Sequence, residues 1–389
     1  MEFNINLPEL EVLCDFKSAK VCSHCGSTNT IRHTGETSRI IRDTKVRFVE
    51  RQRRYCKDCQ RTYTIHPPGI DKGYQRSKRL IFSCLLIYLA GLSYDKTSGL
   101  LSVLFQVKVG SKSTLWQDLQ ELGQGLKMKK IFTRLRKSNQ PQIIAQDASF
   151  IKIKGKEFCL EFIINNSSGV EEEDSLLKVS IISSENAREI YQLIQSLKEE
   201  LDLSQLKVIV SDDGSANHKA VELLNGLDFP EKGEKIKVQR VPRLNNNQIL
   251  HQVCLAHTKK NALERLKTFE NKAPPDIMVK LQEIIDSNFY PNYLGDIEKM
   301  VKDKRVQKLK GLHQFLFGEL WEKYNKYSLF YQGTGVPNTN NLTERTIGRT
   351  KIRYKLCRGL KSISEALNFI TTTQAFEAKK FDLLVGALR

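Results

Sequence analysis

Three things are scarce in this 389-residue chain: long apolar runs, cysteines in a matched set, and acidic residues. The longest apolar run, "LIFSCLLIYLAGL" (Leu80–Leu92), is shorter than the roughly 20 residues that cross a bilayer, so no membrane partner is expected. The opening "MEFNINLPELEVLCDF" lacks a basic start and an apolar core, so no leader is read there and a cytoplasmic, nucleoid-associated location is expected. Cysteines stand at nine positions: 14, 22, 25, 56, 59, 84, 159, 254 and 357. An odd number without a leader argues against a disulfide framework. Asp and Glu total 44 against 62 Lys and Arg, a net charge of +18. The shortage is local. Residues 1–140 hold 12 acidic and 25 basic side chains, whereas residues 141–389 hold 32 and 37. A positive field concentrated in one third of a chain attracts a polyanion, of which nucleic acid is the usual one; the plainer reading is a solubilising surface. With 40% hydrophobic residues the composition fits a globular protein with a sizeable core.

Four cysteines form two close pairs, "CSHC" (Cys22, Cys25) and "CKDC" (Cys56, Cys59). Each C-x-x-C lets two thiolates face one ion, and tetrahedral Zn²⁺ takes four. Between the pairs, "TSRIIRDTKVRFVERQRRY" reads as strands, so residues 1–75 are expected to form a zinc ribbon with a structural Zn²⁺. "TKVRFVERQRRYC" alternates basic with apolar side chains, as a strand does when it packs one face and offers the other to phosphates. Residues 76–138 read as three helices: one with Leu80, Cys84, Ile87 and Tyr88 on a face, one capped by Ser93 with Leu100, Leu101 and Leu104, and one capped by Ser111 or Ser113. That order fits either a plain bundle or a helix-turn-helix. In the latter Lys112, Ser113 and Thr114 would enter the DNA groove.

Residues 139–389 read as a mixed α/β domain. "IIAQDASFIKI" is a strand carrying Asp147, "KEFCLEFIINNSSG" and "LLKVSIISS" are two more, Asn186–Leu201 is an amphipathic helix, and "KVIVSDDG" is a further strand. Three strands, a helix and a strand suit a ribonuclease H-like sheet. Strand-end carboxylates Asp147 and Asp212 or Asp213 would then gather at one edge, with Glu344 arriving on a basic helix whose Arg345, Arg349 and Arg353 would hold the DNA backbone. Adjacent carboxylates repel and are usually neutralised, and hard oxygen ligands suit two Mg²⁺ ions. Such ions clamp both oxygens of an in-line phosphoryl displacement. A surface Asp-Asp-Gly turn and a salt-bridged Glu are the alternatives.

"IIAQDASFIKIKG", "VIVSDDGSANHKAV", "HQVCLAHTKKNALERL" and "NTNNLTERTIGRTKIRYKLCRGLKS" together resemble a DDE transposase of bacterial insertion sequences, in the Mutator-like branch with a C-x-x-H motif, here Cys254 and His257. The resemblance covers about Asp147 to Phe376. It implies Mg²⁺-dependent cleavage of transposon ends and strand transfer into target DNA. Asp147, Asp212 and Glu344 would be the catalytic metal ligands, with Asp213 the alternative second Asp, and Cys254 and His257 would stand beside them. It also implies an all-α insertion over about residues 262–332, and a homodimer or higher assembly on double-stranded DNA. Trp321, in that insertion, is either a core residue or a platform for an extruded base. The other functional readings are an inactive DNA-binding regulator and a nuclease of the same fold without strand transfer.

Overall fold

The computed structural model describes residues 10–12, 20–128, 140–167, 175–228, 239–332, 335–356 and 359–388. Cys14, Cys357, most of the basic stretch "RLRKSNQ" and the expected boundary at 138/139 lie outside them. The chain divides into two compact units, residues 1–131 with 350–389, and residues 132–349.

The first unit opens with β1 (Thr30–Ile40), β2 (Phe48–Cys56) and β3 (Thr62–Ile65), an antiparallel sheet in that order. β2 buries Val49, Gln52, Arg54 and Cys56 and turns Arg51 and Arg53 outward. The inward face is therefore not purely apolar. Arg54 is accommodated because it donates to Gln52 Oε1 at 3.1 Å, Thr30 Oγ1 at 3.1 Å and the Thr30 carbonyl at 3.0 Å. Three helices follow: α1 (Lys78–Leu89), α2 (Tyr94–Phe105) and α3 (Lys112–Met128). Ser77 and Ser93 cap the first two by accepting from the amides of Leu80 and Lys96. Asp43 joins sheet to helices. Its buried carboxylate accepts from Ser77 Oγ, from Arg79 at 2.5 and 3.1 Å, and from the amides of Lys45 and Val46. On α2 only Tyr94, Thr97 and Leu101 are buried, a single i, i+3, i+7 stripe, while Leu100 and Leu104 stay exposed.

The second unit is built on β4 (Ile143–Ile153), β5 (Lys156–Asn165), β6 (Leu176–Ile182), β7 (Val208–Ser211) and β10 (Leu250–Val253). Helices α4 (Ala187–Ser196) and α5 (Ser215–Leu224) and the two-residue strands β8 (Leu227–Asp228) and β9 (Gln239–Arg240) lie between them in sequence. The sheet order is β10-β7-β4-β5-β6. The first three strands are parallel and the last two antiparallel, so the sheet is mixed. β7, "VIVS", is buried throughout, as a central parallel strand must be. Ile144, Ile163 and Ile209 pack one face against Ile190, Leu193 and Ile194 of α4. Ile143, Ala145, Val208 and Val210 meet Leu329 and Val336 on the other.

After β10 the chain is helical: α6 (Leu255–Phe269), α7 (Pro275–Asp286), α8 (Leu294–Lys302), α9 (Lys304–Lys308), α10 (Lys310–Gln314), a π-helical turn (Phe315–Trp321) and α11 (Tyr324–Tyr327). These helices share a core of their own around Leu281, Ile284, Ile297, Leu316 and Tyr327, and Trp321 packs against it partly buried. α12 (Asn341–Leu356) crosses the division between the units, and α13 (Ile363–Glu377) and α14 (Phe381–Ala387) belong to the first. Residues 350–389 thus group with the N-terminal helices instead of with the sheet that the 139–389 expectation placed them beside. The reason is contact: a Cβ on Gly123 of α3 would stand 2.5 Å from the Asn368 carbonyl, and one on Gly125 2.7 Å from that of Ala387. Glycines in mid-helix let α13 and α14 approach this closely.

Candidate functional site

Sheet register carries two carboxylates to one place. Parallel pairing aligns Ile143 with Val208, Ile144 with Ile209 and Ala145 with Val210. Asp147 stands two residues beyond Ala145 on β4 and Asp212 two beyond Val210, just past the end of β7, near enough for the two carboxylates to feel each other's charge. Burial, and then the charges of Asp212 and Glu344, push the Asp147 carboxyl up to about 6. The Ala148 amide, donated to its Oδ1 at 2.8 Å, and the nearby His257 pull the other way.

The two neighbouring aspartates have different surroundings. Asp212 Oδ1 accepts from the Gly214 amide at 2.9 Å and Asn217 Nδ2 at 2.5 Å, which orients the carboxylate without an opposing charge. Asp213 is paired: Lys323 Nζ donates at 2.6 Å and His218 Nε2 lies 2.7 Å away. Burial would raise its carboxyl, but these two contacts hold it below the ordinary carboxylate range. Asp213 thereby ties the end of β7 to the helical segment before α11.

Glu344 sits one turn into α12, with 42% of its side chain exposed. Asn340, fully buried, fixes where that helix starts. Its Nδ2 donates to the Gln146 carbonyl on β4 at 3.0 Å, and its amide donates to Cys254 Sγ at 3.4 Å. Its Oδ1 accepts from Thr343 Oγ1 at 2.5 Å, and its carbonyl from the Glu344 amide at 3.0 Å. One residue thus joins the strand of Asp147, the start of α6 and the helix of Glu344. The C-x-x-H motif divides its labour accordingly. Cys254 is buried, its amide donates to the Ser211 carbonyl at 2.7 Å, and its sulfur receives Asn340. His257, one turn into α6, places Nε2 3.6 Å from Glu344 Oε1. The adjacent Cys254 thiol, and more weakly Glu344 and Asp147, push its imidazole up to about 9. Donor atoms of Cys254, His257 and Glu344 all lie within 4.8 Å of one another.

Several residues here were not singled out by sequence reasoning. Glu161, opposite Ala148 on β5, is completely buried; burial pushes its carboxyl up to about 7, and Gln146 Nε2 donates to it at 2.8 Å. Glu185 is raised by burial and by the charge of Asp212. An acidic residue inside "FCLEFII", between apolar neighbours on a strand, was the available signal for Glu161. Asn340 is hidden in "NTNN", where any of three asparagines could cap the helix.

In the first unit the four cysteines converge. Cys22 and Cys59 sulfurs are 3.7 Å apart, those of Cys25 and Cys56 3.6 Å, and all four lie within 4.8 Å. A tetrahedron of Zn–S bonds of about 2.3 Å has sulfur–sulfur edges of about 3.8 Å, so this donor set fits Zn²⁺. The amides of Cys59 and Asp58 pull the Cys56 thiol down to about 7, the direction a metal ligand needs.

Of the expected DNA contacts, Lys112 and Ser113 are exposed at the first turn of α3. Thr114 turns back onto Ser111, whose Oγ accepts from its amide at 3.3 Å, so Ser111 is the cap. Arg345 is exposed and Arg349 half-buried. Arg353 is engaged inside its unit: it pairs with Glu377 at 3.5 Å, and its Nη1 is 2.6 Å from where a Cβ on Gly91 would stand. No helix among the described residues is long and apolar enough to cross a membrane. No protein-family model matches this chain, and no curated protein matches it.

Proposed function

We propose that the chain is a DDE transposase: a ribonuclease H-like sheet that performs metal-dependent DNA cleavage and strand transfer, preceded by a zinc ribbon and a helix-turn-helix that bind transposon ends. The observation that supports the reading is the parallel pairing of β4 with β7, which runs toward Asp147 and Asp212 at neighbouring strand ends, with the helix of Glu344 pinned to the residue before Asp147 by Asn340. After burial, the charges of Asp212 and Glu344 raise Asp147, so three carboxylates face one region, and hard oxygen ligands of this kind would suit a divalent cation such as Mg²⁺. Bound there, two Mg²⁺ ions would supply the Lewis-acid stabilisation of an in-line phosphoryl displacement.

Within that reading Asp147, Asp212 and Glu344 hold the metals. Asp212 is preferred to Asp213 because the latter is already neutralised by Lys323 and His218. His257, protonated at neutral pH, orients the Glu344 carboxylate and offers positive charge to a phosphate. Asn340 and Cys254 are positioning residues.

The test is cleavage and strand transfer on a labelled element-end duplex with Mg²⁺. Replacing Asp147, Asp212 or Glu344 by Ala should lower joined product by more than about 100-fold, beyond what loss of a supporting residue costs. DNA binding should be kept, and Asp213→Ala should retain measurable strand transfer. A wild type that binds the ends but yields no Mg²⁺-dependent product would overturn the enzyme reading and leave a DNA-binding regulator. Cut ends without joined product would leave a nuclease.

A further inference from the structure

The three-stranded sheet of the first unit has a cleft on its outward face, of about 530 Å³. Arg51 and Arg53 of β2 and Lys72 line it, with His24, His66 and Thr64. No carboxylate is among its described lining residues. The strand register explains the gathering: Thr37 pairs with Arg51 and Thr64 with Arg53, so these side chains share one face. Both arginines are held in place by neighbours that leave their charge intact. Arg51 Nε donates to Thr37 Oγ1 at 3.0 Å and Arg53 Nη2 to Thr62 Oγ1 at 3.1 Å. Asp71, next to Lys72 in sequence, is turned to Lys78 at 3.2 Å. Uncompensated cations in a concave site repel one another and focus their field on whatever anion enters. His66 registers that field, since burial together with the charges of Arg39, Arg51 and Lys72 lowers its imidazole.

We propose that this cleft seats backbone phosphates of a DNA strand. Three cations, hydroxyls from threonines, and no acceptor-only side chain among the described lining residues match an acceptor-only polyanion. The arginines supply several directed donors each, and fixed planar forks suit phosphate oxygens. The contacts are to backbone, so the cleft contributes affinity and orientation instead of sequence choice. The inference rests on the DNA-binding half of the proposed function and not on its chemistry.

The zinc-loaded full chain, titrated onto a labelled duplex between about 50 and 200 mM salt, tests it. Neutralising three phosphate contacts should lower the slope of log K against log salt by about 2.7 in the triple variant Arg51→Gln, Arg53→Gln, Lys72→Gln, and by about 0.9 for Lys72→Gln alone. A charge-matched triple at Lys154, Lys156 and Lys207 gives the effect of net charge. Zinc content reports folding; should the triple variant lose zinc, the exposed Lys72 decides. A slope loss no larger than that of the charge-matched control overturns the assignment. So does displacement of the duplex by inorganic phosphate at constant ionic strength if the triple variant keeps its slope, since the cleft is then a free-anion site. A wild type that binds no duplex at all sinks the proposed function itself, whereas binding with an unchanged slope in the triple variant sinks only the cleft.

Discussion

Glu161 carries a carboxyl in surroundings that favour its neutral form. It lies completely buried beside the strand of Asp147 with a carboxyl pushed up to about 7 by burial. A carboxyl whose folded pKa exceeds its ordinary 4.5 binds its proton more tightly in the native state. Its stabilisation is complete below 4.5 and is lost as pH rises through about 7. At about 1.4 kcal/mol per pH unit the loss approaches roughly 3 kcal/mol above neutrality. Glu161→Gln keeps an acceptor for Gln146 and cannot ionise. Chemical unfolding at pH 5 and pH 8 should therefore show a smaller pH-dependent loss in the variant than in wild type; equal losses would mean that Glu161 titrates normally. Asp213 makes the opposite case, a carboxylate held ionised by Lys323 and His218. If its task is to dock the helices after β10, Lys323→Gln should reproduce the effect of Asp213→Asn on protease resistance around residues 323–327. The double variant should then add little, because the two partners share one interaction.

Among the elements, α12 and α3 have the most to say about how the molecule is held together. Asn340→Ala removes the acceptor of Thr343 Oγ1 at the start of α12 and leaves the Gln146 carbonyl on β4 without its donor. The expected cost is about 1 kcal/mol for the lost Thr343 hydrogen bond and about 1–3 kcal/mol for the buried carbonyl. Loss of the tether should also cut the strand-transfer rate about 10- to 100-fold at low Mg²⁺, with partial recovery at high Mg²⁺, since a supporting residue tunes affinity. A rate loss that Mg²⁺ leaves unchanged would argue that Asn340 serves folding alone. The contrast with what the sequence discloses is physical. β4 to β7, the Ser93 cap and the cysteine pairs are legible because period-2 alternation, a capping side chain and a short thiol spacing are local signals. β10 is not, since its "LHQV" sets His251 and Gln252 side by side without an apolar pattern and is a strand by virtue of pairing with β7. Gly123 and Gly125 read as weak points in a helix until α13 and α14 are seen to need them. The placement of Asp147 against Asp212 is half legible: both strand ends can be read, but the register that aligns them comes from the parallel pairing with β4.

At the scale of the whole molecule, each unit carries its own core, and α12 runs from one into the other. The first unit combines a four-thiol site with a helical core completed by chain that returns from the far end of the sequence. Phe369 on α13 is fully buried there, and Phe162 on β5 is fully buried in the second unit. Truncating either to Ala should cost about 3–5 kcal/mol. Because structural zinc contributes folding energy directly, a chelator should lower the stability of the first unit and spare the second. These three perturbations then sort the unfolding transitions. Phe369→Ala and chelation should both shift the transition followed by a probe on α3, and Phe162→Ala should shift the one followed by a probe on β5. If Phe369→Ala moves the β5 probe instead, the C-terminal helices belong energetically with the mixed sheet, as the sequence suggests. If all three perturbations move both probes together, α12 transmits stability well enough that the chain unfolds as one cooperative body.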